Sequence, residues 1–230
     1  VVEAATNHSK QAMRKYFWLL IGAVGVGFFL FNTNLGNHNH KPSALVSASL
    51  VTRCQENYGE QVENIADTLQ IPAVYIKALI ILECSAKKPA SPRFEPKVFE
   101  KLQAVRDGKE EKYSGITTAM VKGMSDKRLE ALATSWGPLQ IMGYHTLHFG
   151  WSLQDLTGDK ALYYGMLWCK KNYARYLDRR DYRNAFHYHN TGKPHPVMWN
   201  GHTHDPDYVA KGLAYIRLFE QSPPTTQAQP

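Results

Sequence analysis

Cysteine is scarce: Cys54, Cys84 and Cys169 are the only three in 230 residues. Three cannot make a disulfide framework, and no pair has the CxxC spacing of a zinc or redox site. The simplest reading is three small buried side chains. Period-two alternation of apolar and polar residues is also thin, which argues against an all-β architecture. No groove-reading element accompanies the Lys and Arg residues, so nucleic acid is not the expected partner. Gly22, Gly25 and Gly27 lack the strand–turn–helix context of a nucleotide loop. There is no initiating Met, so a missing or processed N-terminus is expected.

What is present is enough apolar surface for a packed core, 43% of residues, with 12% aromatic. The net charge of +7 favours an anionic partner such as a phospholipid surface or an acidic polymer. One uncharged run, residues 16–31 (YFWLLIGAVGVGFFLF), comes after Lys10, Arg14 and Lys15. As a helix it spans about 24 Å, slightly short of a hydrocarbon core of roughly 30 Å, and thinning closes the gap. Basic residues before it and none soon after predict a cytoplasmic N-terminus, residues 1–15, with the rest of the chain outside. A cleavable signal peptide is the competing reading, although no small-x-small site stands after Phe31. A buried core helix is another, disfavoured because a polar linker comes next. Residues 32–50, rich in Asn, His and Ser, read as that linker, and 222–230 as a disordered tail.

Residues 51–221 read as one mainly α domain. Val62, Ile65, Ala66 and Leu69 recur at helical spacing, Ile71-Pro72 breaks the pattern, and Pro72 suits the start of the next helix. That helix, Ala73 to about Cys84, is apolar on nearly every side, the mark of a central buried element. Further helices are expected over 98–105, from Asp126 toward Thr134, from Leu162 through Tyr176, from Asp181 to His189, and from Tyr208 to Phe219. Residues 87–96 and 106–115 read as loops.

Glu83 sits at the C-terminal end of the apolar helix, where the helix dipole opposes negative charge. Burial beside Leu79 and Leu82 pushes the same way, so its carboxyl is expected to titrate high. A carboxylic acid kept protonated near neutral pH is what general-acid catalysis needs. About fifty residues on comes Ala133-Thr134-Ser135-Trp136-Gly137-Pro138-Leu139-Gln140-Ile141-Met142-Gly143, a turn with Ser, Trp, Gly and Gln together.

Three segments together resemble the lysozyme-like superfamily, in particular lytic transglycosylases and phage-type N-acetylmuramidases. Ile80-Ile81-Leu82-Glu83-Cys84-Ser85 is similar to the helix that ends in that family's catalytic Glu. Ser135-Trp136-Gly137-Pro138-Leu139-Gln140-Ile141-Met142-Gly143 is similar to its Ser–x–Gly–x–x–Gln–x–Met signature. His189-Asn190-Thr191-Gly192, with Tyr208-Val209 beyond it, resembles its Tyr-Asn-x-Gly and Tyr-Val segments, with His189 where tyrosine is usual. Arg93-Phe94-Glu95-Pro96-Lys97-Val98-Phe99 also resembles a segment of the muramidase branch.

The resemblance implies a lysozyme-like domain, α+β with minor β, which the apolar run at 16–31 would place behind a single N-terminal transmembrane helix. It implies cleavage of the β-1,4 bond between N-acetylmuramic acid and N-acetylglucosamine. Glu83 would protonate the departing oxygen and then act as base, toward the sugar's own 6-hydroxyl in a transglycosylase or toward water in a hydrolase. Glycosidases with two carboxylates place them about 5–5.5 Å or 6.5–9.5 Å apart. Glu95 is the one nearby candidate, its alternative being a loop ion pair. Ser135 and Gln140 would orient Glu83 or the substrate's acetamido groups, and Tyr144, Tyr188 and Asn190 would line the cleft, with Tyr188 standing in for the missing tyrosine. Neither metal nor cofactor is expected; the pairs His38/His40, His187/His189 and His202/His204 read as solvated or hydrogen-bonded. The partners implied are peptidoglycan and, through residues 16–31, the bacterial inner membrane, with the domain in the periplasm or envelope. Phage lysis, virion-associated genome delivery with its assembly partners, and a secretion apparatus all suit such a chain. A non-catalytic wall-binding protein on the same scaffold is the alternative. A disulfide from Cys84 to Cys54 or Cys169 would, in addition, displace Glu83 and hold the enzyme latent.

Overall fold

The chain divides between Lys41 and Pro42, and the computed structural model describes residues 46–196 and 203–221, all in the second unit. The candidate anchor at 16–31 and the tail at 222–230 lie outside the described residues. Among those described, no helix is long and apolar enough to cross a membrane.

Helix α1 (Ala48–Leu69) begins three positions before the expected boundary at residue 51. Val51, Cys54, Tyr58, Val62, Ala66 and Leu69 repeat every three or four residues and face inward. It stops at Gln70, whose left-handed backbone (φ 52°) turns its N–H back onto the carbonyls of Ala66 and Asp67. After Pro72 comes α2 (Ala73–Cys84), in which seven consecutive residues, Tyr75 to Ile81, are buried. Ile76, Leu79 and Ile80 are completely enclosed, each contributing about 1.5–3 kcal/mol by leaving water. Lys77 is tolerated in this run because its Nζ reaches Glu63 of α1 at 2.5 Å.

Around α2 lie α1, α8 (Ala161–Asp178), α9 (Tyr182–Thr191) and α10 (Tyr208–Gln221), which share one apolar cluster. The helical backbone of α8 breaks at Tyr173 (φ −146°, ψ 32°), whose phenol is thereby brought onto Tyr75 of α2. Asp181 caps α9 by accepting from the Asn184 N–H, and Gly192 ends it at φ 72°, the terminator expected.

A second, smaller apolar cluster joins α3 (Pro96–Arg106), α4 (Thr118–Val121) and α5 (Asp126–Leu132) to the hairpin β2 (Lys112–Tyr113)–β3 (Ile116–Thr117). Two short helices, α6 (His145–Phe149) and α7 (Leu153–Thr157), lead back to α8. Between the clusters runs a three-stranded antiparallel sheet in the order β1 (Arg93–Phe94), β4 (Thr134–Trp136), β5 (Ile141–Met142). Two loop expectations are corrected here, since 93–94 and 112–113 are paired strands. The helix from Asp126 also ends at Leu132, so Thr134 belongs to β4 rather than to a helix. Gly143 lets β5 close onto α5: a Cβ there would lie 2.3 Å from the Ala131 carbonyl oxygen. The described chain is mainly helical with a small β element.

Candidate active site

Glu83 lies in the last turn of α2, and the backbone just beyond it is unusual. Ser85 and Ala86 both take left-handed backbone (φ 52° and 55°), two successive non-glycine residues in a region costing roughly 1–2 kcal/mol each. The turn returns the Ser85 N–H to the Ile81 carbonyl at 2.9 Å and so ends the helix abruptly. Glu83 is left at the rim, its side chain 14% exposed.

Its carboxyl is gripped on one oxygen. Tyr208 at the start of α10 donates a short hydrogen bond to Oε1, and His189 of α9 places Nε2 3.7 Å from the same atom. Burial pushes the Glu83 pKa up to about 7; the Tyr208 hydroxyl and then the Arg93 guanidinium pull against it without reversing it. The 3.7 Å approach of His189 has the length of a long ion pair, but burial drives the imidazole pKa down to about 4. A neutral imidazole therefore faces a mostly protonated carboxyl at about pH 6, and no ion pair forms there.

His189 connects Glu83 to the turn that carries the family resemblance. Its Nε2 is 3.2 Å from the Leu139 carbonyl oxygen, and its Nδ1 is 3.0 Å from the Tyr173 hydroxyl. One imidazole thus spans the acid and the turn. Within the turn, Gln140 (φ 48°) accepts from the Ser135 hydroxyl at 2.8 Å. Its amide nitrogen donates to Ser91 O at 3.1 Å and to Gly137 O at 2.9 Å. An amide has two N–H groups, so Gln140 spends both inside the protein. Ser135, fully enclosed and paired with Arg93 across β4–β1, spends its one O–H as well. The two residues fasten the strand carrying Arg93 beside Glu83.

The remaining expected site residues separate. Glu95 pairs with Arg93 at 2.7 Å and stands at the N-cap of α3. Tyr144 packs edge-on to Tyr113 in the smaller cluster and next to His145 and His148. Tyr188 lies against Tyr173 and Tyr176 of α8, and His189, not Tyr188, occupies the place beside Glu83. Asn190 is exposed and accepts from the His204 N–H at 3.2 Å, tying down the segment before α10.

Tyr208 and Arg93 are the side chains around Glu83 that motif reading did not single out. Tyr208 was visible as half of the Tyr-Val pair, and Arg93 as the first residue of the Arg93–Phe99 segment, but neither was assigned a place beside Glu83. All three cysteines are free thiols. Cys84 donates to Ile80 O at 3.3 Å, and burial raises its pKa to about 11 and that of Cys54 to about 12. The latency disulfide has no counterpart here, and thiols so fully protonated are poor nucleophiles. Among the described residues, no three His, Cys, Asp or Glu side chains gather as a metal site. An open cleft of about 410 Å³, lined by Gln70, Pro72, Ala73 and Arg180, lies at the other end of α2. It is about 15 Å along the helix from Glu83 and shares no residue with the Glu83 network. No protein family, curated protein or solved structure matches the chain.

Proposed function

We propose that the chain cleaves the glycan strands of peptidoglycan, breaking the β-1,4 bond between N-acetylmuramic acid and N-acetylglucosamine with Glu83 as its single acid. The observation that carries this reading is one carboxyl, nearly buried at a helix end, with its pKa raised to about 7 and one imidazole away from the Ser135–Gln140 turn. Such a group is protonated for an appreciable fraction of the time at neutral pH and can give its proton to a bridging sugar oxygen. The departing alcohol takes that proton, the glycosidic C–O pair leaves with it, and the carboxylate becomes the base for the second half. Glu95, tied to Arg93, is already engaged as an ion-pair partner, which favours the single-acid scheme over a two-carboxylate one.

The same reading gives the chain its place in the cell. Residues 16–31 would hold it in the bacterial inner membrane with the domain on the envelope side, suiting local wall opening in phage lysis, genome delivery or secretion. Zymography on gels containing peptidoglycan tests the activity. Wild type is expected to clear the gel, and Glu83→Gln to lose clearing by a factor of about 10²–10⁴. Co-sedimentation with sacculi without clearing by wild type would replace the enzyme with a wall-binding protein.

A further inference from the structure

Glu83 has two carboxyl oxygens, and the protein treats them unequally. Oε1 receives the Tyr208 hydroxyl and is the oxygen facing His189. The partners of His189 set its tautomer. A carbonyl oxygen only accepts, so Nε2, at 3.2 Å from Leu139 O, carries the hydrogen. Nδ1 then holds a lone pair and takes the Tyr173 hydroxyl proton at 3.0 Å. Tyr173 in turn accepts from Tyr75 at 3.1 Å, so every donor in the chain Tyr75–Tyr173–His189–Leu139 points the same way. The Tyr208 hydroxyl is the donor on Oε1, while the single N–H of His189 is given to Leu139 O and only faces that oxygen at 3.7 Å; this leaves Oε2 as the oxygen that bears the acid proton.

We propose that His189 is a positioning residue for the proton transfer: its Nε2–H rests on Leu139 O while Glu83 is protonated and moves onto Glu83 Oε1 as the carboxyl ionises. This rests on Glu83 being the proton donor in glycan cleavage. In that step the Oε2–H bond breaks, the proton joins the glycosidic oxygen, and the electrons left on Glu83 make it a carboxylate. Nε2–H then exchanges a neutral carbonyl acceptor for a charged one, and charge-assisted hydrogen bonds are roughly twice as strong as neutral ones. An interaction gained only as charge develops lowers the barrier without tightening substrate binding.

The groups that face this pair come from every surrounding element. Tyr75 and Cys84 lie on α2 itself, Arg93 on β1, Cys169 and Tyr173 on α8, and Tyr208 on α10. His145 of α6 faces His189 and is itself held neutral by burial, its pKa lowered to about 3. Of these, Arg93 is the one cation. A neutral N–H donor is thus the main addition that His189 makes to the hydroxyl of Tyr208.

Two measurements on the detergent-solubilised full chain decide it. In the unmutated protein, ¹⁵N imidazole shifts of His189 at about pH 6 should report a neutral ring protonated at Nε2; an Nδ1-protonated or cationic ring overturns the proposal. In ¹³C-Glu-labelled protein, the Glu83 carboxyl, assigned by its loss in Glu83→Gln, should titrate about one unit higher in His189→Phe. In His189→Gln, which keeps an N–H donor, it should stay near wild type. His189→Phe should lower kcat on peptidoglycan about 10–100-fold with KM little changed, and move the alkaline limb of the pH profile upward. An unmoved Glu83 titration in a folded His189→Phe protein, or a uniform loss at every pH, contradicts the proposal. Should wild type cut no glycan, the glycan reading falls while the two titrations still decide the role of His189.

Discussion

Gln140 joins three segments through one amide, accepting from the Ser135 hydroxyl and donating to Ser91 O and Gly137 O. Removing its side chain takes a donor from Ser91 O, while Gly137 O keeps the Gln140 backbone N–H at 3.1 Å and the Ser135 hydroxyl keeps Arg93 O at 3.3 Å, a loss of about 1 kcal/mol. Gln140→Ala should show this as a lowered urea midpoint with an unchanged m-value. The identities of Glu83, Ser135 and Gln140 were legible because the residue types and spacing stand in the sequence. What Ser135 and Gln140 do was not legible, since spacing does not tell which way an amide's donors point. His189 looked like a gap in a pattern. The role proposed for it depends on Tyr75 and Tyr173, 98 positions apart, meeting at a kink in α8 that no local signal announces.

At the scale of elements, α2 was readable from Ala73 to Cys84 because a run apolar up to Leu82 but for Lys77, opening after the breaker Pro72, has few other conformations. The β1–β4–β5 sheet was hidden because strands of two or three residues are too short to display alternation. The pairing of Arg93 with Ser135 also closes a loop of about forty residues. The end of α2 carries its own prediction. Ser85 is exposed and left-handed, a position glycine occupies without the Cβ penalty. Ser85→Gly should stabilise the protein by about 1 kcal/mol, seen as a rise of about 2–4 °C in Tm. An unchanged or lower Tm would mean that the turn after Glu83 stores no such strain.

For the molecule as a whole, the buried acid and the buried imidazoles pull stability in opposite directions with pH. Glu83 has its pKa raised from 4.5 to about 7, so the folded state holds more protons than the unfolded state across that window, and its contribution worsens as pH rises. His189 and His145, lowered from 6.5 to about 4 and about 3, contribute stability that is present above 6.5 and lost as pH falls. Glu83→Gln removes only the first effect. Its stability advantage over wild type should be on the order of 3 kcal/mol above about pH 7 and should close as pH falls from about 7 to 4.5, as tracked by denaturant unfolding. A gap independent of pH would mean that Glu83 titrates as an ordinary surface carboxyl.

The most direct test is to expose purified sacculi to wild type and to Glu83→Gln and identify the soluble products by mass spectrometry. Wild type should release disaccharide-peptides newly ended at muramic acid, either 1,6-anhydro or reducing according to whether the 6-hydroxyl or water completes the reaction. The variant should release at least about a hundredfold less. Equal release by both proteins, or products cut only at amide bonds, would contradict Glu83 as the donor of the proton that breaks the glycan.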